Sequence, residues 1–292
     1  MKDDCAMSVE VATLSGTSRL VDRICAGVLA GEFSVAFQPI IDVHSGRTVG
    51  AEALLRWQHP EFGQLLPGAF AKALMKPDAA WATTAFVINE VCRQLSASMT
   101  TSSAGVPGNG AELQFVSFNV LPSQLHDPRL ETLIRWSSLR HRINPSLILI
   151  ELLECEPIVD QAELQQDIER LQRLGARVAI DDFGSGAWTL SDLANLKIDV
   201  VKISGELVNR GSLESRTRPI LGGMIGLLSD LGVAAVVEGI ESMDQRAWIE
   251  TQKPVMAQGY GYARPQPCLR SALDNRLHQI DRSACCPPLA VV

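Results

Sequence analysis

Eight short apolar runs, each rich in β-branched residues, recur along this chain: Val35–Ile41, Thr48–Leu55, Leu113–Asn119, Leu147–Glu151, Arg177–Asp182, Asp199–Ile203, Val233–Glu238 and Val255–Tyr260. Segments with helical spacing of apolar residues follow most of them: Ala79–Ser96, Pro122–His141, Gln161–Leu174, Leu190–Leu196, Pro219–Leu231 and Met243–Gln252. Strands in alternation with helical crossovers predict an α/β chain closed into a (β/α)8 barrel of the TIM type. One connection breaks the rule. Only Asp42-Val43-His44-Ser45-Gly46-Arg47 separates the first two runs. A parallel crossover needs about a dozen residues or more, so this link is a hairpin and one strand runs antiparallel to the other seven. Before the barrel, Thr17-Ser18 caps a helix reaching about Ala30. The expected division is a loose lead-in over 1–18, the barrel over 19–280 and a flexible tail over 281–292. Thr100 to Gly110 reads as a turn-rich surface loop.

Composition narrows the function. At 292 residues, 46% hydrophobic, the chain can bury the core of one barrel. Its formal net charge of −7 disfavours a DNA or RNA polymer as ligand, because such polymers demand a basic face. A small phosphate ester remains compatible if cations offset the carboxylates. The seven cysteines (Cys5, Cys25, Cys92, Cys155, Cys268, Cys285 and Cys286) are odd in number and form no Cys-x-x-Cys pair. They read as reduced thiols rather than a disulfide frame or a zinc site. Met1–Glu10 lacks the apolar run of a secretory signal, and no stretch of about 18 apolar residues exists to span a membrane. A cytoplasmic protein is expected.

In such barrels the chemistry gathers at the C-terminal ends of the strands, and here polar residues close strand after strand. Asn119 ends the third run, Glu151 the fourth and Asp181-Asp182 the fifth; Lys202, Glu238 and Gln258 end the sixth, seventh and eighth, while Glu52 interrupts the second. An Asp or Asn after a strand often caps the next helix, which accounts for one such residue but poorly for the series. Buried carboxylates need partners, and oxygen donors around one mouth suit Mg2+ or Mn2+.

These residues also carry a resemblance. Glu52-Ala53-Leu54, within Ala51–Pro60, resembles the signature of the EAL family of cyclic di-GMP phosphodiesterases. The likeness continues through Gln38-Pro39, Ser117-Phe118-Asn119-Val120, Glu151-Leu152-Leu153-Glu154, Asp181-Asp182-Phe183-Gly184-Ser185-Gly186, Lys202, Glu238-Gly239-Ile240-Glu241 and Gln258-Gly259-Tyr260. It covers Ile24 to Pro267 in the family's order. The tripeptide alone is weak; the ordered set is specific. The resemblance implies a (β/α)8 barrel with one reversed strand, in agreement with the hairpin argument. It implies hydrolysis of cyclic di-GMP to linear pGpG, dependent on two Mg2+ or Mn2+ ions per site, in bacterial signalling. It further implies a homodimer, with room for input from a regulatory protein partner.

By the same resemblance, Glu52, Asn119, Glu151 and Asp181 hold one ion. Asp181 bridges to a second, which Asp182, Glu238 and Gln258 hold directly or through water. Lys202 orients or deprotonates the attacking water, with Glu238 the other candidate base, so Lys202, Glu238, Glu52 and Asp181 form the expected catalytic set. Gln38, Leu54 and Arg56 contact substrate; an Arg suits bidentate contact with phosphate. Glu154 and Glu241 keep the Asp181–Leu190 loop and neighbouring ligands in place. Histidine has no central role: His59 looks structural, and His126, His141 and His278 fall in helical or loop contexts.

Two departures from the family pattern stand out. Ala187-Trp188-Thr189 replace the usual Tyr-Ser-Ser after the Asp-Asp-Phe-Gly loop, and Phe70-Ala71-Lys72-Ala73-Leu74-Met75 lacks the glutamate usual in that segment. The first bears on regulation and turnover, the second on one wall of the substrate pocket. Two other readings compete. A catalytically weak or inactive member that binds cyclic di-GMP or a protein would normally have lost metal ligands, and none is lost here. An unrelated barrel acting on a sugar phosphate would need a glycine-rich phosphate loop after strands seven and eight, which Gln258-Gly259-Tyr260-Gly261-Tyr262 matches weakly.

Overall fold

The computed structural model describes residues 17–101, 113–155, 160–186, 188–209 and 216–274. The lead-in before Thr17, most of the Thr100–Gly110 loop, Ala187, the C-terminal tail with His278, and Cys5, Cys285 and Cys286 lie outside the described residues. Among the described residues Cys25, Cys92, Cys155 and Cys268 form no disulfide.

Helix α1 (Thr17–Leu29) leads into β1 (Phe33–Asp42) and β2 (Arg47–His59), joined as the expected hairpin. A short β3 (Gly63–Leu65) folds back on the end of β2. Then follow α2 (Ala71–Leu74), α3 (Pro77–Thr101), β4 (Phe115–Val120), α4 (Pro122–His126), α5 (Pro128–His141), β5 (Ile148–Leu152), α6 (Gln161–Leu174) and β6 (Arg177–Phe183). The chain continues through α7 (Leu190–Asn195), β7 (Val200–Ile203), α8 (Gly205–Asn209), α9 (Thr217–Asp230), β8 (Ala234–Val237), α10 (Met243–Ile249), β9 (Met256–Ala257) and α11 (Leu269–Leu273). The sheet order is β1-β9-β8-β7-β6-β5-β4-β2-β3, and the further β1–β2 pairing closes the ring. β1 is the reversed strand, antiparallel to both β2 and β9. All eight expected runs supply barrel strands; β3 is an addition outside the ring.

Local chemistry explains most boundaries. Asp160 accepts hydrogen bonds from the N–H groups of Ala162 and Glu163 at the start of α6, and Gly175 ends the helix at φ 101°. The expected single helix over Pro122–His141 is a correction: it is two helices, split at Asp127. Pro128 disfavours helical geometry at the residue before it, so Asp127 is extended (φ −84°, ψ 125°) and its side chain caps the new helix through Arg129 N–H.

Two layers fill the barrel. Ile40, Val49, Phe115, Leu149, Ala179, Val200, Val236 and Met256, one from each barrel strand, form a separate apolar cluster. Residues two apart in a strand share a face. Two positions beyond this plug, on the same inner face, come Glu151, Asp181, Lys202, Glu238 and Gln258. On reversed β1 the corresponding step runs backwards, from Ile40 to Gln38. Polar side chains thus form the next layer up, resting on an apolar floor. The larger core lies outside the barrel, between strands and helices, and includes Trp57, Phe118, Ile150, Ile180 and Leu171. No described helix is long and apolar enough to cross a membrane.

Candidate active site

The centre of the polar layer is Lys202, 1% exposed. Its Nζ lies 2.7 Å from Glu238 Oε1, 2.9 Å from Glu151 Oε2, 3.1 Å from Asp181 Oδ1 and 3.2 Å from Glu52 Oε2. The Asp181 contact is ionic, without hydrogen-bond alignment. The hairpin contributes two members at once, because its register sets Gln38 opposite Glu52. Gln258 Nε2 donates to Glu52 Oε2 (2.6 Å) and Gln38 Oε1 (3.2 Å), and Asn119 Nδ2 lies 3.4 Å from Glu52 Oε1. All eight barrel strands thereby bring a polar side chain to one cluster.

The electrostatics are unbalanced. Four carboxylates face one ammonium, and Asp182 adds a further negative charge nearby. Burial pushes the Glu151 carboxyl well above its usual range, only partly countered by Lys202. Burial also raises Glu238, to about 8, against the pull of Lys202 and with the push of Asp181 and Glu52. For Lys202 burial works against the charge, but Asp181, Glu151, Glu238 and Glu52 together outweigh it and hold the ammonium well above its ordinary pKa. Asp182 is raised by burial and by Asp181.

Among the described residues no trio of carboxylate, histidine or cysteine side chains closes directly into a metal cage; the carboxylates turn to Lys202 instead. The donor set nevertheless fits divalent cations. Asn119 Oδ1, Glu151 Oε1 and Gln258 Oε1 are buried oxygens without a hydrogen-bond donor, an arrangement that costs free energy unless a cation or water supplies the partner. All candidate donors are carboxylate or amide oxygens, as Mg2+ and Mn2+ prefer, and the excess negative charge is what two such ions would offset.

Asp181 and Asp182 are neighbours, yet both belong to the cluster. The ladder between β6 and β7 shifts register between Ile180 and Phe183, and Asp182 adopts a left-handed φ of 52°. This breaks the usual alternation of side chains. The following loop is tied at both ends. Ser185 Oγ donates to Glu154 Oε2 at 2.7 Å, and Thr189 caps α7 in a reciprocal pair with Asp192, at 2.7 Å from both the Thr189 N–H and hydroxyl to Asp192 Oδ2. Trp188, between them, is buried in the main core.

Gly259 marks where the mouth allows no side chain: a Cβ there would lie 2.1 Å from the Ile240 carbonyl oxygen. The resulting cleft, about 270 Å³, is lined by Gln38, Asp181, Glu238, Glu241 and Tyr260, with Lys202 at its base. A second hollow of about 510 Å³, mostly apolar, adjoins it past Asn119 and Asp182, and Leu54, Leu74 and Met75 form part of its wall. The Ala71–Met75 segment that departs from the family pattern therefore does shape a wall beside the cleft.

Of the remaining expected residues, Arg56 is half-buried and donates to the Leu55 carbonyl at 2.8 Å; burial lowers its pKa, with Tyr260 and Glu52 opposing. Glu241 is exposed on the cleft wall, and its backbone N–H donates to Gln245 Oε1 at 2.8 Å. His59 is structural, accepting from Glu61 N–H and packing edge-on against Trp57. Outside the cleft, His126 pairs with buried Asp167. Two residues at the mouth escaped the sequence reading: Ser204, buried just beyond Lys202, and Arg264, whose guanidinium sits 4.7 Å from the centroid of the exposed Tyr260 ring. The signal for Ser204 was available as a polar residue closing the apolar run that contains Lys202.

Comparison with known proteins agrees with this geometry. A family model described as the EAL domain matches residues 22–265. An uncharacterised protein of Mycobacterium tuberculosis, Rv1357c, is 32% identical over 81% of this chain and 76% of its own length. The cyclic di-GMP phosphodiesterase RocR of Pseudomonas aeruginosa is 29% identical over 91% of this chain and 64% of its own. Among solved structures, the PaMucR phosphodiesterase in complex with c-di-GMP superposes with a TM-score of 0.76 at 26% identity, covering 85% of this chain and 98% of that one. With the reversed strand, the ordered motifs and their convergence on Lys202 in agreement, the chain belongs to the EAL-domain family.

Proposed function

We propose that this protein hydrolyses cyclic di-GMP to linear pGpG, using two divalent ions, Mg2+ or Mn2+, held as the sequence resemblance implies. Glu52, Asn119, Glu151 and Asp181 would hold one ion, and Asp181, Asp182, Glu238 and Gln258 the other. The observation that carries the reading is the oxygen cluster around Lys202: complete in every expected ligand, over-supplied with negative charge, and holding three buried oxygens without donors. When bound, the ions would lower the pKa of water and offset charge on the attacking and leaving oxygens. Lys202, in contact with four of these carboxylates, would orient or deprotonate the attacking water. Glu238, 2.7 Å from Lys202, is the other candidate to accept that proton and return it. Water oxygen joins phosphorus, the bond from phosphorus to the 3′ oxygen breaks, and the proton ends on that oxygen. Arg56 and Gln38 hold the phosphate and the nucleotide across the cleft.

The test is chromatographic. Purified protein with cyclic di-GMP should form pGpG in Mg2+ or Mn2+ and none in excess chelator. No product at any ion concentration, with the protein folded, overturns the reading.

A further inference from the structure

The second hollow, beside the cleft, has a volume of about 510 Å³, within the roughly 300–1,000 Å³ of small-molecule pockets. Asn119 and Asp182, both expected ion ligands, line it. A phosphodiester seated at the ions therefore has this hollow as the space for one of its two nucleosides. Its walls differ in chemistry. The side towards β2, α2 and α3 presents Leu54, Leu74, Met75 and Val87. The ends of β5, β6 and β7 bring Glu154, Asp182 and Glu206, which only accept hydrogen bonds when ionised.

What the hollow lacks is a hydrogen-bond donor. Among the described residues that line it there is no lysine, arginine or histidine. Its neutral donors are engaged within the protein. Thr83 Oγ1 donates to the Ala79 carbonyl at 2.7 Å. Thr84 and Gln124 bond each other, hydroxyl to Oε1 at 3.3 Å and Nε2 to hydroxyl at 3.1 Å. Ser185 Oγ donates to Glu154 at 2.7 Å, and Asn119 Nδ2 faces Glu52 Oε1 at 3.4 Å. Ser204 is 1% exposed, and the Cys155 thiol is a weak donor.

Guanine and adenine differ where this matters. Guanine carries the O6 acceptor in the place where adenine carries its N6 amino donor. To prefer guanine, a pocket must offer a donor to O6. This hollow offers acceptors and apolar surface, which suit the adenine amino group equally well. A site that reads an edge through hydrogen bonds rejects the wrong ligand by about 10⁴-fold or more, whereas an apolar site that reads shape discriminates by only about 10–200-fold.

We propose that this protein takes adenine in place of one guanine, so that the mixed cyclic dinucleotide of GMP and AMP is a substrate beside cyclic di-GMP. The inference rests on the phosphodiesterase reading above and names its substrate class more fully. The bond cut is the same: water oxygen joins phosphorus, the 3′ oxygen leaves with the proton, and a linear dinucleotide forms. On the cleft side the balance differs, because the Arg264 guanidinium sits 4.7 Å from the ring centroid of Tyr260 at the cleft wall. Adenine is disfavoured there, so only one of the two bases is exchangeable.

The experiment compares kcat/KM for cyclic di-GMP, the mixed dinucleotide and cyclic di-AMP, using the full-length protein with Mn2+ and chromatographic detection. The mixed dinucleotide should fall within about 100-fold of cyclic di-GMP, and cyclic di-AMP should fall at least about tenfold below the mixed one. Met75→Trp, which narrows the hollow from its wall, should raise KM for cyclic di-GMP and the mixed dinucleotide alike, by about tenfold, the size of a steric change in an apolar pocket. Mn2+ binding should stay as in the parent. A gap above about 100-fold between cyclic di-GMP and the mixed dinucleotide overturns the proposal. So do equal rates on all three substrates, or an unchanged KM in Met75→Trp. Hydrolysis of cyclic di-GMP with refusal of the mixed dinucleotide sinks this proposal alone; a folded protein that hydrolyses neither sinks the phosphodiesterase reading with it.

Discussion

At Lys202, 1% exposed, a single ammonium answers four carboxylates. Removing one partner from a buried ionic group leaves the others uncompensated, at about 3–5 kcal/mol. Lys202→Met should therefore destabilise the metal-free protein by roughly that amount in urea unfolding, and Mn2+ should recover more stability in the variant than in the parent. Equal stability of the two metal-free proteins would show that Lys202 is not the site's counter-ion. Glu238 makes a pH-dependent statement. Its folded pKa of about 8 lies above the ordinary glutamate value of 4.5, so between those values the folded chain keeps a proton that the unfolded chain has lost. Metal-free stability from this group is then full below about 4.5 and falls as pH rises towards 8. Lys202 adds no slope there, because its raised pKa matters only above its ordinary value of 10.5. Glu238→Gln should flatten the decline in melting temperature between these limits; an unchanged slope would assign it elsewhere. Glu52→Ala should cut kcat by orders of magnitude, whereas Arg56→Ala should mainly raise KM, as expected of a group that binds ground and transition states alike. A fall in kcat alone, to the same degree in both, would contradict that division.

Among the elements, the end of β9 tolerates least change. Gly259→Ala would set a methyl group 2.1 Å from the Ile240 carbonyl, so either backbone must move. The variant should lose more stability than an ordinary surface change, by several kcal/mol, and should bind Mn2+ poorly even where it folds, since Gln258 moves with it. A variant with parental stability would mean that the turn is free to relax. This region also marks the limit of what sequence reveals. The run Val255–Tyr260 was legible as a strand, but its ladder is only Met256–Ala257, because Gly261 N–H bonds Ile240 O and the chain turns. β3 escaped notice because three residues carry too little alternation to register. The split at Asp127 lay in plain view as Asp-Pro, yet helical periodicity on both sides masked it. The polar layer was legible for a simpler reason: strand alternation ties each of Glu151, Asp181, Lys202 and Glu238 to an apolar plug residue two places earlier. Asp182 obeys no such period, since a register shift and a left-handed backbone define it.

For the whole molecule, the hairpin link between the first strands was enough to foretell a reversed strand, but not that β1 is the one reversed. An acidic chain whose cleft concentrates the excess charge should depend on its ions throughout. Chelation should abolish turnover and Mg2+ or Mn2+ restore it. Ca2+ should inhibit, because its larger and looser oxygen shell misplaces the reacting water; full turnover in Ca2+ would refute this. The ring itself is closed unevenly. β1 and β2 share ten register pairs, whereas β1 meets β9 through two, Ile41↔Ala257 and Asp42↔Met256, helped by a bridge from Phe37 to Gln266. The hairpin can form early from neighbours in the chain, but the β1–β9 joint must wait for the far end to arrive. Backbone amides along that joint should be among the first barrel amides to exchange with deuterium. Gln258 hangs directly from it, so the mouth is completed last in folding and opened first in fluctuation. A chain still emerging from synthesis, or one nicked near its C-terminus, would have most of the barrel and none of the chemistry.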